Sequence, residues 1–198
     1  MGSIRHDDDL REAAPMTDTL TLVDYAQIEP RPWKNGRGVT RNLFDDSSGA
    51  EDWTWRVSIA EITGTQPYSS YPGLRRGQVA LGPGDVDLTI NDRTVTLAPE
   101  GIVTFDGEDA VTARPSEVGF LDLNVMTRRD AWTAEVEIID GGIAAARDEQ
   151  IVVLVALGLD CAIDGRRLAR LDTAALRSGA SATLEGRFVS ARLSPASA

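Results

Sequence analysis

The sequence predicts an all-β protein built of two barrel- or sandwich-like halves related by internal duplication, and two observations carry that expectation. Apolar and polar residues alternate with a period of two through most of the chain, the pattern of strands that bury one face. Short landmarks then recur in the same order. Val79-Ala80-Leu81-Gly82 returns as Val155-Ala156-Leu157-Gly158, and the hairpin signal Asn91-Asp92-Arg93 returns as Asp164-Gly165-Arg166. Phe105-Asp106-Gly107 is answered by Leu184-Glu185-Gly186, and Val111-Thr112-Ala113-Arg114 by Val189-Ser190-Ala191-Arg192.

The elements follow from the alternation. Thr19 to Val23 is a short β run. From Trp53 onward, Trp53, Trp55, Val57 and Ile59 take one face of a strand, and Thr54, Arg56, Ser58 and Ala60 the other. Val86, Leu88 and Ile90 alternate with Asp87, Thr89 and Asn91, then turn through Asn91-Asp92-Arg93 into Thr94–Leu97. Over residues 119–127, Phe120, Asp122, Asn124 and Met126 oppose Leu121, Leu123 and Val125. Trp132 to Ile139 is a further strand, and short helices are expected near Gly142–Arg147 and Asp172–Arg177. Many short strands set off by Gly, Asp and Pro turns indicate a sandwich or barrel. Residues 1–15 read as a disordered or added tail, 16–130 as the N-terminal half, and 131–198 as the C-terminal half.

Composition narrows the function. The 198 residues suffice for one domain or two small β modules sharing a core. A formal net charge of -11 disfavours nucleic acid and anionic membranes as partners. It leaves room for a small anionic metabolite, because arginines can reverse the field inside a pocket. One cysteine, Cys161, offers no disulfide framework, and the acidic N-terminus has no hydrophobic signal region, so the expected compartment is the cytoplasm. The single histidine, His6, lies in the polar tail. No histidine-based metal site and no serine–histidine or cysteine–histidine pair is therefore expected, and no cofactor.

Pro99-Glu100-Gly101 resembles the Pro-x-Gly turn of a cupin barrel, with Thr104 where metal-binding cupins carry a histidine. A homodimer is compatible with such a fold. Four segments carry candidate chemistry. Lys34, Asn35, Thr40 and Arg41 follow Trp33 in a glycine-rich stretch, and Lys34 is the only lysine among twenty Lys and Arg residues. Arg56 and Ser58 share a strand face, placing a fork-shaped donor beside a hydroxyl. If that face lines a barrel the pair suits a carboxylate; if it meets solvent the pair is ordinary surface. Tyr68-Ser69-Ser70-Tyr71-Pro72-Gly73-Leu74-Arg75-Arg76 joins hydroxyls and two arginines around a turn, as an anion-closing loop or a solvated one. Asp122 and Asn124 lie with Phe120 and Met126, polar groups among large apolar ones, as in a pocket lining or a half-exposed strand.

Taken in order, Trp33-Lys34-Asn35-Gly36 with Thr40-Arg41, Trp55-Arg56-Val57-Ser58-Ile59-Ala60, Tyr68 to Arg76, Phe105-Asp106-Gly107, and Asp122-Leu123-Asn124-Val125-Met126 with Arg128-Arg129 resemble the HutD/Ves family of bicupins. The resemblance implies a protein lacking the usual cupin metal centre. It implies an accessory or regulatory role in histidine utilisation and a ligand such as N-formylglutamate. On that reading Arg56, Arg76 and Lys34 meet the carboxylates, and Ser58, Ser69, Asn35 and Asn124 the amide-like formyl group, with Thr40, Arg41 and Met126 completing the site. The chain departs from the family pattern at Tyr68 and Tyr71, where phenylalanine is usual, at Arg37, often glycine, and at Arg75, commonly acidic. Two alternatives stand beside it: a metal-free isomerase, epimerase or hydrolase on a small acid with Asp122 as base, and a structural or stress-related interaction protein.

Overall fold

A computed structural model describes residues 19–33, 36–47 and 52–196. The first half contributes β1 (Leu20–Val23), β2 (Arg31–Pro32), β3 (Gly38–Asp45), β4 (Trp55–Ile62), β5 (Gln66–Pro67), β6 (Leu74–Gly82), β7 (Val86–Ile90), β8 (Arg93–Leu97), β9 (Ile102–Asp106), β10 (Val111–Pro115) and β11 (Phe120–Arg128). The second contributes β12 (Trp132–Ala145), β13 (Ile151–Ala156), β14 (Ala162–Ile163), β15 (Arg166–Arg167), β16 (Thr173–Arg177) and β17 (Ser181–Pro195). Both segments expected to be helical are strands. Residues 142–145 pair with Ser181–Leu184, and Thr173–Arg177 lies between β1 and β13. Ladder pairing outweighs the weak local helical preference of these Ala-containing runs.

Period-two patterning explains the layers. A six-stranded sheet, β2-β3-β4-β11-β6-β9, faces a four-stranded sheet, β5-β10-β7-β8. Between them Ala60, Ile62, Ala80, Val86, Leu88, Phe105, Val111, Ala113 and Phe120 fill the first barrel. The remaining sheet curls around a second core that includes Val152, Leu154, Ile163, Leu176, Leu184 and Phe188. The outer faces of the two large sheets join back to back. Trp55, Val57, Ile59, Val79, Leu123 and Val125 meet Val153, Val155, Ala175, Val189 and Leu193 in one buried seam.

The halves are not divided cleanly at residue 130. β1 pairs with β16, so residues 20–23 belong to the C-terminal sheet. Asp172 helps to hold that crossing, its Oδ1 accepting from the Tyr25 amide at 3.0 Å. The pairing of the two halves is similar, but two of the four landmarks do not correspond: Phe105 pairs with Arg76 as Leu176 pairs with Val152, so Phe105-Asp106-Gly107 does not answer Leu184-Glu185-Gly186, which lies opposite β14. Both hairpin turns are present, and Asp164 and Gly165 take φ of 49° and 75°, as a tight two-residue turn demands. Val79 pairs with Leu123, whereas Val155 pairs with Val189. Residues 189–192 therefore answer β11 and not Val111–Arg114, which lie in the small sheet.

Candidate functional site

β11 runs through the centre of the six-stranded sheet, and its register fixes the site. Met126 lies between Arg56 of β4 and Arg76 of β6, Asn124 between Ser58 and Gln78, and Asp122 between Ala60 and Ala80. Directly opposed residues of antiparallel strands share a face, so all of these point into the first barrel. The face that Arg56 and Ser58 share is the barrel interior. Trp53 departs from its expected place. It precedes β4 and packs with Leu74 and Met126, its ring 4.4 Å from the Arg56 guanidinium carbon.

Five side chains form a buried polar cluster. Tyr68 donates to Asp122 Oδ2 at 2.9 Å, and the Gln78 amide donates to the same oxygen at 2.6 Å and to the Tyr68 oxygen at 2.7 Å. Arg76 donates to Asn124 Oδ1 at 2.6 Å. The Arg76 guanidinium carbon also lies 4.9 Å from the Tyr68 ring centre, 5.0 Å from Phe105 and 6.0 Å from Tyr71. Asp122 and Gln78 are both 0% exposed. Burial pushes the Asp122 carboxyl up to about 6, with the Tyr68 hydroxyl and the Arg76 cation pulling the other way. Burial also drives the Tyr68 phenol well above its usual value, and the Asp122 charge adds to it. The same desolvation lowers Arg76, while Tyr68 and Asp122 oppose the fall. Arg76 makes no ion pair among the described residues, Gln78 Oε1 and Arg76 Nε have no hydrogen-bonding partner there, and the Asn124 side chain joins Tyr68 and Arg76 in pulling the Asp122 carboxyl down.

A surface cleft of about 310 Å³ adjoins the cluster, lined by Trp53, Arg56, Ser70, Tyr71, Pro72, Leu74 and Arg128. Arg56 stands at this mouth, its Nε 3.4 Å from Asp45 Oδ2. Burial lowers its pKa and Asp45 counters that. Tyr71 joins cleft to cluster, because it lines the one and approaches Arg76 in the other. Its backbone is set by Gly107, whose amide donates to Leu74 and whose carbonyl accepts from Tyr71. A Cβ at Gly107 would fall 2.0 Å from the Tyr71 carbonyl oxygen. Gly107→Ala is expected to cost about 2 kcal/mol or more, within the range for strained core changes. Urea unfolding of the variant checks this.

The other candidate residues scatter. Thr40 is on the interior face, in register with Ala60, but its hydroxyl accepts from Trp33 Nε1 at 2.8 Å. Arg41 points through the opposite face of β3. Its Nε donates to the Ile28 carbonyl at 3.1 Å and it stacks on Tyr25, so it anchors the N-terminal segment and not the cluster. Ser69 is exposed, while Lys34, Asn35 and His6 lie outside the described residues. Thr104 pairs with Gly77 and shares the outer face, so the interior slots of β9 are Val103 and Phe105. Gln78 is a member of the cluster that sequence reasoning misses. The available signal is parity: it is two residues from Arg76 on a strand whose other members are apolar or small. Among the described residues no group of three or more His, Cys, Asp or Glu is gathered as for a metal ion. In the second barrel the positions answering Arg76, Gln78 and Asp122 hold Val152, Leu154 and Phe188, so the polar cluster belongs to the first barrel.

Two β-barrels packed back to back, with a polar cluster inside the first, define a cupin-type protein. The HutD family model matches residues 25–192, and the chain belongs to the HutD family. It is 38% identical over 123 residues to Protein Ves of Citrobacter koseri, a match covering 60% of this chain and 64% of that one. It is 31% identical over 142 residues to Protein Ves of Escherichia fergusonii, covering 69% and 74%. Its fold is similar to HutD from Pseudomonas fluorescens SBW25, with a TM-score of 0.80, 22% identity, and coverage of 90% of this chain and 100% of that one.

Proposed function

We propose that this chain is a metabolite-binding protein that takes a small carboxylic acid, with N-formylglutamate as the first candidate, and serves as an accessory or regulatory factor in histidine utilisation. One observation carries the reading: Arg56 and Arg76 flank Met126 in register on one barrel face, beside a cleft that Arg56 itself lines. Two guanidinium groups on strands either side of β11 suit a carboxylate, which arginine binds through paired hydrogen bonds. Membership in the HutD family supports the pathway. Binding is favoured over turnover by the partners of Asp122. Among the described residues, Tyr68 is the one titratable group bonded to it, and burial holds that phenol far above neutrality. A base in this position has no second acid to share proton transfer near neutral pH.

A thermal-shift series on the whole chain tests the reading. N-formylglutamate at a hundred times its dissociation constant is expected to stabilise by about 2.7 kcal/mol, a rise of roughly 5–10 °C for a chain of this size. The diamide of the same molecule, which lacks the carboxylates, is expected to give no rise. Equal shifts with acid and diamide, or none with any small acid among formiminoglutamate, urocanate and glutamate, would overturn it.

A further inference from the structure

The mouth of the second barrel carries charges that the first-barrel site does not use. A cleft of about 450 Å³ lies there, with Glu135, Ile143, Arg147, Gln150, Arg192 and Ser194 among its walls. Register places it where the first barrel has its own cleft. Val79 pairs with Leu123 as Val155 pairs with Val189, so Arg192 answers Met126 and Ser194 answers Arg128. Glu135, paired with Arg192, answers Arg56, paired with Met126. Arg192 and Ser194 share a strand face with Phe188, a member of the second core, so the cleft opens at the end of that core. The two mouths differ in charge. Arg56 and Arg128 line the first, whose walls hold no acid, whereas the second sets an acid among arginines.

Its charged groups are held apart. Glu135 and Arg192 are directly opposed on β12 and β17, a placing in which opposite charges ordinarily stabilise the ladder. Arg192 turns elsewhere: its Nη1 donates to the Ala145 carbonyl at 2.9 Å, which leaves Nε and Nη2 without a protein acceptor among the described residues. Glu135 has neither an ion pair nor a side-chain hydrogen bond there, and the same holds for the Arg147 guanidinium. Gln150 fixes the floor between them. Its Nε2 donates to Ser194 Oγ at 3.0 Å, and its Oε1 accepts from the Arg147 amide at 3.1 Å. Ile143, 78% exposed, adds bare apolar surface to the same cleft. We propose that this cleft is a second ligand site that takes an α-amino acid with an aliphatic side chain. The carboxylate of the amino acid goes to Arg147 and Arg192, its ammonium group donates to Glu135, and its side chain covers Ile143. Each charge of the ligand then meets a protein charge that lacks a partner, and such charge-assisted hydrogen bonds are the strong kind. The carboxylate reading of the first barrel does not enter this argument.

The test is calorimetric titration of the intact chain with L-leucine, N-acetyl-L-leucine and L-leucinamide. The second lacks the ammonium charge and the third the carboxylate, and all three keep the side chain. L-leucine is expected to bind at least about tenfold more tightly than either analogue, because a site built to pair a group discriminates against a molecule without it. In Glu135→Gln the lead of L-leucine over N-acetyl-L-leucine is expected to close, and in Arg147→Gln its lead over L-leucinamide is expected to shrink. Glu135 and Arg147 are both exposed, so the variants are expected to fold. The wild-type comparison of the three molecules decides the matter even where a variant does not. No binding of L-leucine, equal binding of all three, or L-leucine affinity undiminished in a folded Glu135→Gln would each overturn the site.

Discussion

Arg76→Met is expected to lower affinity for the carboxylic ligand by about 100-fold, about 2.7 kcal/mol, while the protein stays folded. The two halves of this expectation come from different features. Binding falls because the guanidinium is the buried cation of the site and has no ion-pair partner of its own among the described residues. Asp122 is near enough to hold the guanidinium charge through space but makes no ion pair with it, and charge-assisted hydrogen bonds are worth about 1.5–3 kcal/mol each. Stability survives because the guanidinium is held by rings, those of Tyr68, Phe105 and Tyr71. Methionine is unbranched and packs well against aromatic edges. Removing a desolvated charge offsets the loss of the bond to Asn124 Oδ1, since apolar replacements of buried ionic groups are often close to neutral. Arg76→Lys is expected to recover only part of the affinity, because an ammonium keeps the charge but not the fork. Titration with N-formylglutamate, set beside urea unfolding of each variant, reads both quantities. Undiminished affinity in Arg76→Met would remove Arg76 from the site.

Much of this arrangement is legible from strand parity. Once Asp122, Asn124 and Met126 are placed on one face, and Arg56 and Ser58 on one face of another strand, only pairing remains to be learned. The pairing is long-range and is what the sequence does not carry: nothing local says that β11 lies between β4 and β6. Without it, Gln78 reads as a polar residue before an apolar run, and Arg41 looks as available as Arg56. Tyr68 is visible as a departure from the family pattern, yet only its bond to Asp122 shows what the hydroxyl does. The false helices at 142–147 and 172–177 have a related cause. Alanine-containing runs of five or six residues carry little preference, and neighbours distant in sequence decide them. Thr104 misleads for a different reason. The turn at Glu100, with its φ of 69°, is present as expected, but the strand after it presents Val103 and Phe105 inward.

Asp122→Asn is expected to raise stability at neutral pH relative to its effect in acid, by about 3 kcal/mol across the window from about pH 4 to about pH 7. The carboxyl is raised from 3.8 to about 6 by burial, a displacement of about two units, and each unit is about 1.36 kcal/mol. The sign follows from proton counting. Between about pH 4 and 6 the folded chain keeps a proton on Asp122 that the unfolded chain has released, so stability falls as pH rises through that window. Below it both states are protonated and no penalty remains; above it the full penalty of burying the anion is present. Asparagine has no such step. The groups facing Asp122 do not mask the effect: Tyr68 titrates far above this range, Arg76 stays cationic, and Ser58, Ala60 and Gln78 carry no charge. Urea midpoints of wild type and variant at pH 4, 5, 6 and 7 give the curve, and a difference independent of pH would mean that Asp122 is not held in the protonation state its burial implies.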